Sequence, residues 1–206
     1  MPPVFPAPPR MFPDLYDYLY HLAPTGGIPL KGTGIVVALA LILSHGWALK
    51  NTAKTQAILK AFPRDYKWGV ILLTIDFLWA EFALVNMDMG EFFTMRDKFM
   101  MIVAAGYIGV LIYVKEFLAV RALGSHMLLI AGPVLTAAIL QPPVSRLLLP
   151  ILAYGWIIIG MFFIGMPFLM RDWVNWAIAK PQRWNLAIYS GIAYGALLLA
   201  AAILFY

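Results

Sequence analysis

Residues 68–87 read WGVILLTIDFLWAEFALVNM. A helix needs roughly 20 apolar residues to cross a hydrocarbon core, and this run has that length and character. It also holds two acids, Asp76 and Glu81. Ionisable groups at membrane depth are costly, so each needs a partner, a proton or access to water. The run therefore predicts both a membrane-spanning helix and a place to look for function.

Comparable runs cover 33–49, 99–120, 125–140, 147–170 and 186–205. The predicted fold is all-α, a polytopic transmembrane helical bundle of about six spans. Composition agrees: 63% of the residues are hydrophobic and 12% charged, where a soluble domain carries about twice that charge. Pro133 falls inside one run, and Pro150 and Pro167 inside another; membrane helices tolerate proline and kink there. Gln141-Pro142-Pro143 predicts a tight corner between spans.

Residues 1–31 are expected to form an extracytoplasmic arm, with 32–206 as the transmembrane domain. The first part of the arm is proline-rich and cannot be helical. Pro13 can open a short interfacial helix with Asp14, Asp17 and His21 on one face and Leu15, Tyr16, Leu19 and Tyr20 on the other. No secretory signal is recognisable at the N-terminus. Val4, Phe5 and Phe12 are the expected partner-binding residues of the arm. Its prolines stiffen it, leaving little entropy to lose on docking.

Orientation follows from lysine and arginine. Lys50, Lys54, Lys60, Arg64, Lys67, Lys115, Arg121, Arg171, Lys180 and Arg183 fall on one side of a six-span chain; Arg10, Lys31, Arg96, Lys98 and Arg146 fall on the other. The richer side is expected to be cytoplasmic, which leaves both termini extracytoplasmic in a bacterial inner membrane. No sequence echo relates the two halves.

The candidate intramembrane polar residues are Asp76, Glu81, Lys115 and Tyr107. Asp76 and Glu81 point about 140° apart on a helix and cannot form a tight dyad. Asp76 is expected to find a cross-helix partner, with Lys115 or Tyr107 as candidates. His45 and His126 are expected near the cytoplasmic face, where two histidines on different helices could hold a haem, a pigment or a metal. The bland alternative, histidines bonded to loop backbone, is the more common one. The acids and histidine at 14, 17 and 21 read as a solvated face before they read as a metal site, and no metal site is expected. Gly191 and Gly195 form a small-residue packing motif, as do Ala105 and Gly109.

No cysteine is present, which excludes disulfides and thiolate chemistry. No hydrolase, zinc-protease or nucleotide-binding motif occurs, so the chain leans away from enzymes. The expected partners are membrane lipid and other membrane subunits, not nucleic acid. The leading functional expectation is a non-catalytic subunit of a respiratory or photosynthetic membrane complex. A small proton- or cation-coupled transporter using Asp76 and Glu81 comes second. A lipid-modifying enzyme comes third.

Overall fold

The computed structural model describes residues 11–21 and 26–206. Every regular element among them is helical: α1 (Pro13–Tyr20), α2 (Leu30–Lys50), α3 (Thr52–Ala61), α4 (Tyr66–Asn86), α5 (Arg96–Tyr113), α6 (Leu118–Ala138), α7 (Leu148–Gly165), α8 (Phe168–Ile178) and α9 (Pro181–Leu204). Five are long and apolar enough to cross a membrane: α2, α4, α6, α9, and α7 with the short turn that leads into it from Val144. The chain is a multi-pass membrane protein.

Glycines set the helix pairings, because without side chains they let backbones approach. α6 and α7 run antiparallel and touch at Gly124 and Gly160. A Cβ on Gly124 would lie 2.6 Å from the Gly160 carbonyl oxygen, so nothing larger than hydrogen fits. α2 and α9 also run antiparallel; Gly195 faces Ala38, Leu41 and Ile42, and Gly191 faces the His45 ring. The Gly191/Gly195 motif is thus a packing face. Ala105 and Gly109 are not its counterpart, since a side chain on Gly109 would meet open space.

α4 and α6 run parallel. Gly69 sits against Leu118 and Ala119, and two turns further along both helices Asp76 meets His126. α5 runs back between their ends. Its first residue, Arg96, donates to the Met87 carbonyl at the end of α4 (2.7 Å), and Tyr66 at the start of α4 donates to the Leu111 carbonyl (3.4 Å). The largest apolar core joins Val37 and Ala38, Ala131 and Val134, Leu149 and Ala153, and Leu198, where α2, α6, α7 and α9 meet. α6 is the most enclosed of the five candidate spans.

Several sequence boundaries need correction. The run 99–120 is not one helix: α5 stops at Tyr113, and α6 begins at Leu118. Phe117, the residue just before α6, takes a left-handed conformation, φ 55°, which a continuous helix does not contain. Lys115 and Glu116 lie in this turn, but the apolar residues on both sides carry the 99–120 run across it. α6 consequently starts seven residues earlier than the expected 125. The run 147–170 also breaks, at Met166-Pro167; α8 is a separate helix carrying Trp173 and Trp176. The expected loop at 50–67 contains α3. α5 falls outside the candidate spans; it is an 18-residue helix whose first three residues are Arg96, Asp97 and Lys98.

Candidate functional site

The site begins with the packing at the base of α4 and α6. A Cβ on Gly69 would lie 2.7 Å from the Ala119 backbone nitrogen, so only glycine allows this approach. That contact fixes the register. It carries Asp76, at the centre of 21-residue α4, to His126, close to the centre of 21-residue α6. His126 Nδ1 lies 2.8 Å from Asp76 Oδ1. Asp76 is 4% exposed, and its second oxygen, Oδ2, is buried with no partner among the described residues.

Asp76 also lines a cavity of about 330 Å³ between α4, α5 and α6. Its wall is mostly apolar, with Leu73, Phe77, Val103, Tyr107 and Ile164 contributing. Phe77 and Tyr107 stack with ring centroids 4.6 Å apart. The Thr74 hydroxyl donates to the Val70 carbonyl (2.8 Å), so the Tyr107 hydroxyl donates to Thr74 (2.9 Å).

α1 reaches the same site from the other side. It descends antiparallel to the last turns of α4. The Phe12 N–H donates to Asn86 Oδ1 (2.9 Å), Tyr16 packs on Phe82, and the Trp79 indole N–H donates to the Tyr20 hydroxyl (2.7 Å). Trp79 in turn meets His126 edge to face, centroids 5.9 Å apart. Tyr20, Trp79, His126 and Asp76 form one continuous series across three helices. Burial pushes the Tyr20 hydroxyl above the usual phenol range, opposed by the Trp79 bond, so it stays a neutral acceptor. Tyr20→Phe is expected to cost about 1 kcal/mol by stranding the indole N–H. It should speed amide hydrogen exchange across 13–20; unchanged exchange would show that the bond does not hold α1.

The candidates from the sequence separate clearly. Asp76 has the expected cross-helix partner, but it is His126 instead of Lys115 or Tyr107. Lys115 is exposed in the turn between α5 and α6, and Tyr107 serves Thr74. Glu81 lies outside the cavity wall, with Oε1 buried and unpartnered among the described residues. His45 and His126 face different neighbours. His45 bonds the Leu41 carbonyl (2.8 Å) and lines a separate cavity with Thr55 and Trp184, so the two do not offer a shared haem or pigment site. Among the described residues no three His, Asp or Glu side chains gather as metal ligands; His21 pairs with Asp17 at 3.2 Å. Val4 and Phe5 lie outside the described residues, while Phe12 docks on Asn86 and Phe82.

No pattern in the sequence marks Tyr20 or Trp79 as site residues, and a span begun at 125 sets His126 at a helix start instead of near mid-helix. The cause is the hidden turn at Val114–Phe117: with α6 begun at 125, His126 falls at a membrane edge; begun at Leu118, it falls near mid-helix. Comparison with known proteins yields no matching family, no similar curated protein and no similar solved structure.

Proposed function

We propose that this chain is a small proton-coupled membrane transport protein, with the Asp76–His126 pair as its proton-carrying site. One observation carries the reading: a carboxylate at mid-helix is bonded on one oxygen and buried without a partner among the described residues on the other, in a residue that lines a cavity. A purely structural pair is expected to satisfy both oxygens, because a buried unmet acceptor costs stability without return. The pair is electrically neutral either as carboxylic acid with imidazole or as carboxylate with imidazolium. Loss of one proton leaves a net negative charge that low dielectric disfavours, so release must be coupled to arrival of another positive charge. His126 thus takes the role that the sequence suggested for Glu81.

Alternating transport also needs a defined membrane frame. We take six crossings, with α5 as the sixth. The support is directional: α4 and α6 are parallel, so the chain between them has to recross the membrane. At a rise of about 1.5 Å per residue, α5 is close to the thickness it must cross. α1 sits in the interfacial layer beside the ends of α4 and α6, tucked about 10 Å down α4 as measured from Asn86 to Trp79. The lysine- and arginine-rich face, with α3 and α8, faces the cytoplasm, and both termini face out.

The absence of cysteine makes single-cysteine labelling clean. A membrane-impermeant maleimide added outside is expected to label Glu91→Cys and Val144→Cys, and to spare Lys54→Cys and Lys115→Cys. Equal labelling at 91 and 115 would remove α5 as a crossing.

The function itself is tested in liposomes loaded with a pH dye. Purified protein should dissipate an imposed pH gradient when a counter-charge is supplied, and His126→Ala should not. A wild type no faster than empty liposomes under any counter-cation would sink the transport reading. A subunit role is the second reading, favoured by Met11 and Phe12, which remain 69% and 55% exposed at the end of the arm. A stable partner in native mass spectrometry, lost on deleting residues 2–12, would support it.

A further inference from the structure

The cavity beside Asp76 has a chemistry that narrows what the counter-charge is. Its walls come from α4, α5, α6 and the end of α7, and they are apolar or aromatic apart from Asp76, the Ser125 hydroxyl and the Tyr107 hydroxyl. Ser125 already donates to the Arg121 carbonyl (3.3 Å), and Tyr107 to Thr74. What remains unmet is an acceptor, Asp76 Oδ2, in a side chain more than nine-tenths buried.

A hydrated metal ion does not suit this space. Hard cations ask for six or more oxygen ligands, and a cavity of about 330 Å³ walled by leucine, valine and phenylalanine does not provide them. A neutral apolar molecule would fill the volume but leave Oδ2 unmet. A cation on an apolar body answers both: its ammonium N–H groups would donate to Oδ2, and its body would contact the apolar and aromatic walls.

We propose that the cavity binds a lipophilic primary ammonium ion, which takes the place of the proton on the Asp76–His126 pair. The inference rests on the proton-carrying reading above and specifies its counter-charge. Charge balance fixes the exchange. The neutral pair loses one proton to solvent, one monovalent ammonium enters, and the site remains neutral. No bond is made or broken beyond that proton transfer. The titratable groups that face Asp76 are His126 from α6, Tyr107 from α5 and, through Trp79, Tyr20 from α1; only the first is bonded to it directly. Substrate would enter sideways from the lipid past α5, the helix with the fewest buried residues among those lining the cavity.

The test uses full-length protein in detergent with phenethylammonium chloride as the probe, followed by isothermal titration and by a pH dye in weak buffer. Saturable binding with release of about one proton per chain is expected, as neutrality in a low-dielectric site demands. Sodium chloride and 2-phenylethanol should release none. Asp76→Asn should abolish the release. Gly106→Leu should weaken binding at least tenfold: Gly106 lines the cavity, a side chain there meets open space in the empty protein, and the variant leaves Asp76 and His126 in place. Glu81→Gln, off the cavity wall, should bind as the wild type does.

Proton release by sodium, or equal binding of the alcohol, would overturn the proposal. So would wild-type affinity in a Gly106→Leu protein with native melting behaviour. If liposomes show proton flux with other cations but no response to the amine, this inference fails and the proton-carrying reading stands. If neither response occurs, both fail.

Discussion

Asp76→Asn is expected to reduce proton flux in liposomes to the level of empty vesicles while the protein still folds. Asparagine keeps the shape and can still hydrogen-bond to His126, so the stability cost should be about 1 kcal/mol. It cannot take up or lose a proton. Asp76→Leu separates structure from chemistry. It removes the acceptor 2.8 Å from His126 Nδ1 and leaves the imidazole facing a methyl group. Breaking one partner of a buried pair costs about 3 kcal/mol or more, so this variant should melt well below the asparagine variant. Glu81→Gln should leave flux unchanged, because Glu81 is off the cavity wall. An asparagine variant with full flux, or a leucine variant as stable as the wild type, would show that Asp76 does not carry the proton and that its bond to His126 holds nothing together.

How much of this was legible in the sequence follows from what hydropathy measures. The class was legible because apolar runs and sparse charge are averages, and averages survive errors of several residues. That Asp76 lies inside an apolar helix was legible too: an acid in a long apolar run stands out without any knowledge of its neighbours. Its partner was not legible. Pairing Asp76 with His126 depends on a parallel register of α4 and α6, and that register is set by the Gly69 contact with Ala119, which no pattern on either helix alone reveals. The turn before α6 holds Lys115 and Glu116, but the apolar residues on both sides carry the run across it, and one misplaced boundary moves His126 by two turns. α1 illustrates a different gap. Its tyrosines read as the apolar side of an interfacial helix, yet Tyr20 bonds Trp79, a residue 59 positions away, and only the folded chain brings those together.

Gly124→Val carries the second large effect and reaches the same site through packing. A Cβ on Gly124 would stand 2.6 Å from the Gly160 carbonyl oxygen, and a Cβ on Gly160 would stand 2.7 Å from the Gly124 carbonyl oxygen. The obstruction is reciprocal and made of backbone, so no side chain can swing away to relieve it. α6 and α7 must separate instead. Separation would loosen the Arg121 guanidinium from the Ile164 carbonyl, one turn away, and open the core around Ala131, Leu149 and Ala153. Overpacking of this kind costs about 3 kcal/mol, read as a lowered melting temperature in detergent. Gly155→Ala is the control: its Cβ would meet nothing within 4 Å, and alanine favours a helix over glycine by up to about 1 kcal/mol. It should melt at or above the wild type. Gly124 is also two residues from His126, so displacing α6 to clear α7 moves the imidazole relative to Asp76. The valine variant should therefore lose proton flux at temperatures where it is still folded. A variant that melts early but conducts normally below its melting point would mean that α6 moves without disturbing the pair, and that the Gly69 contact alone keeps the register.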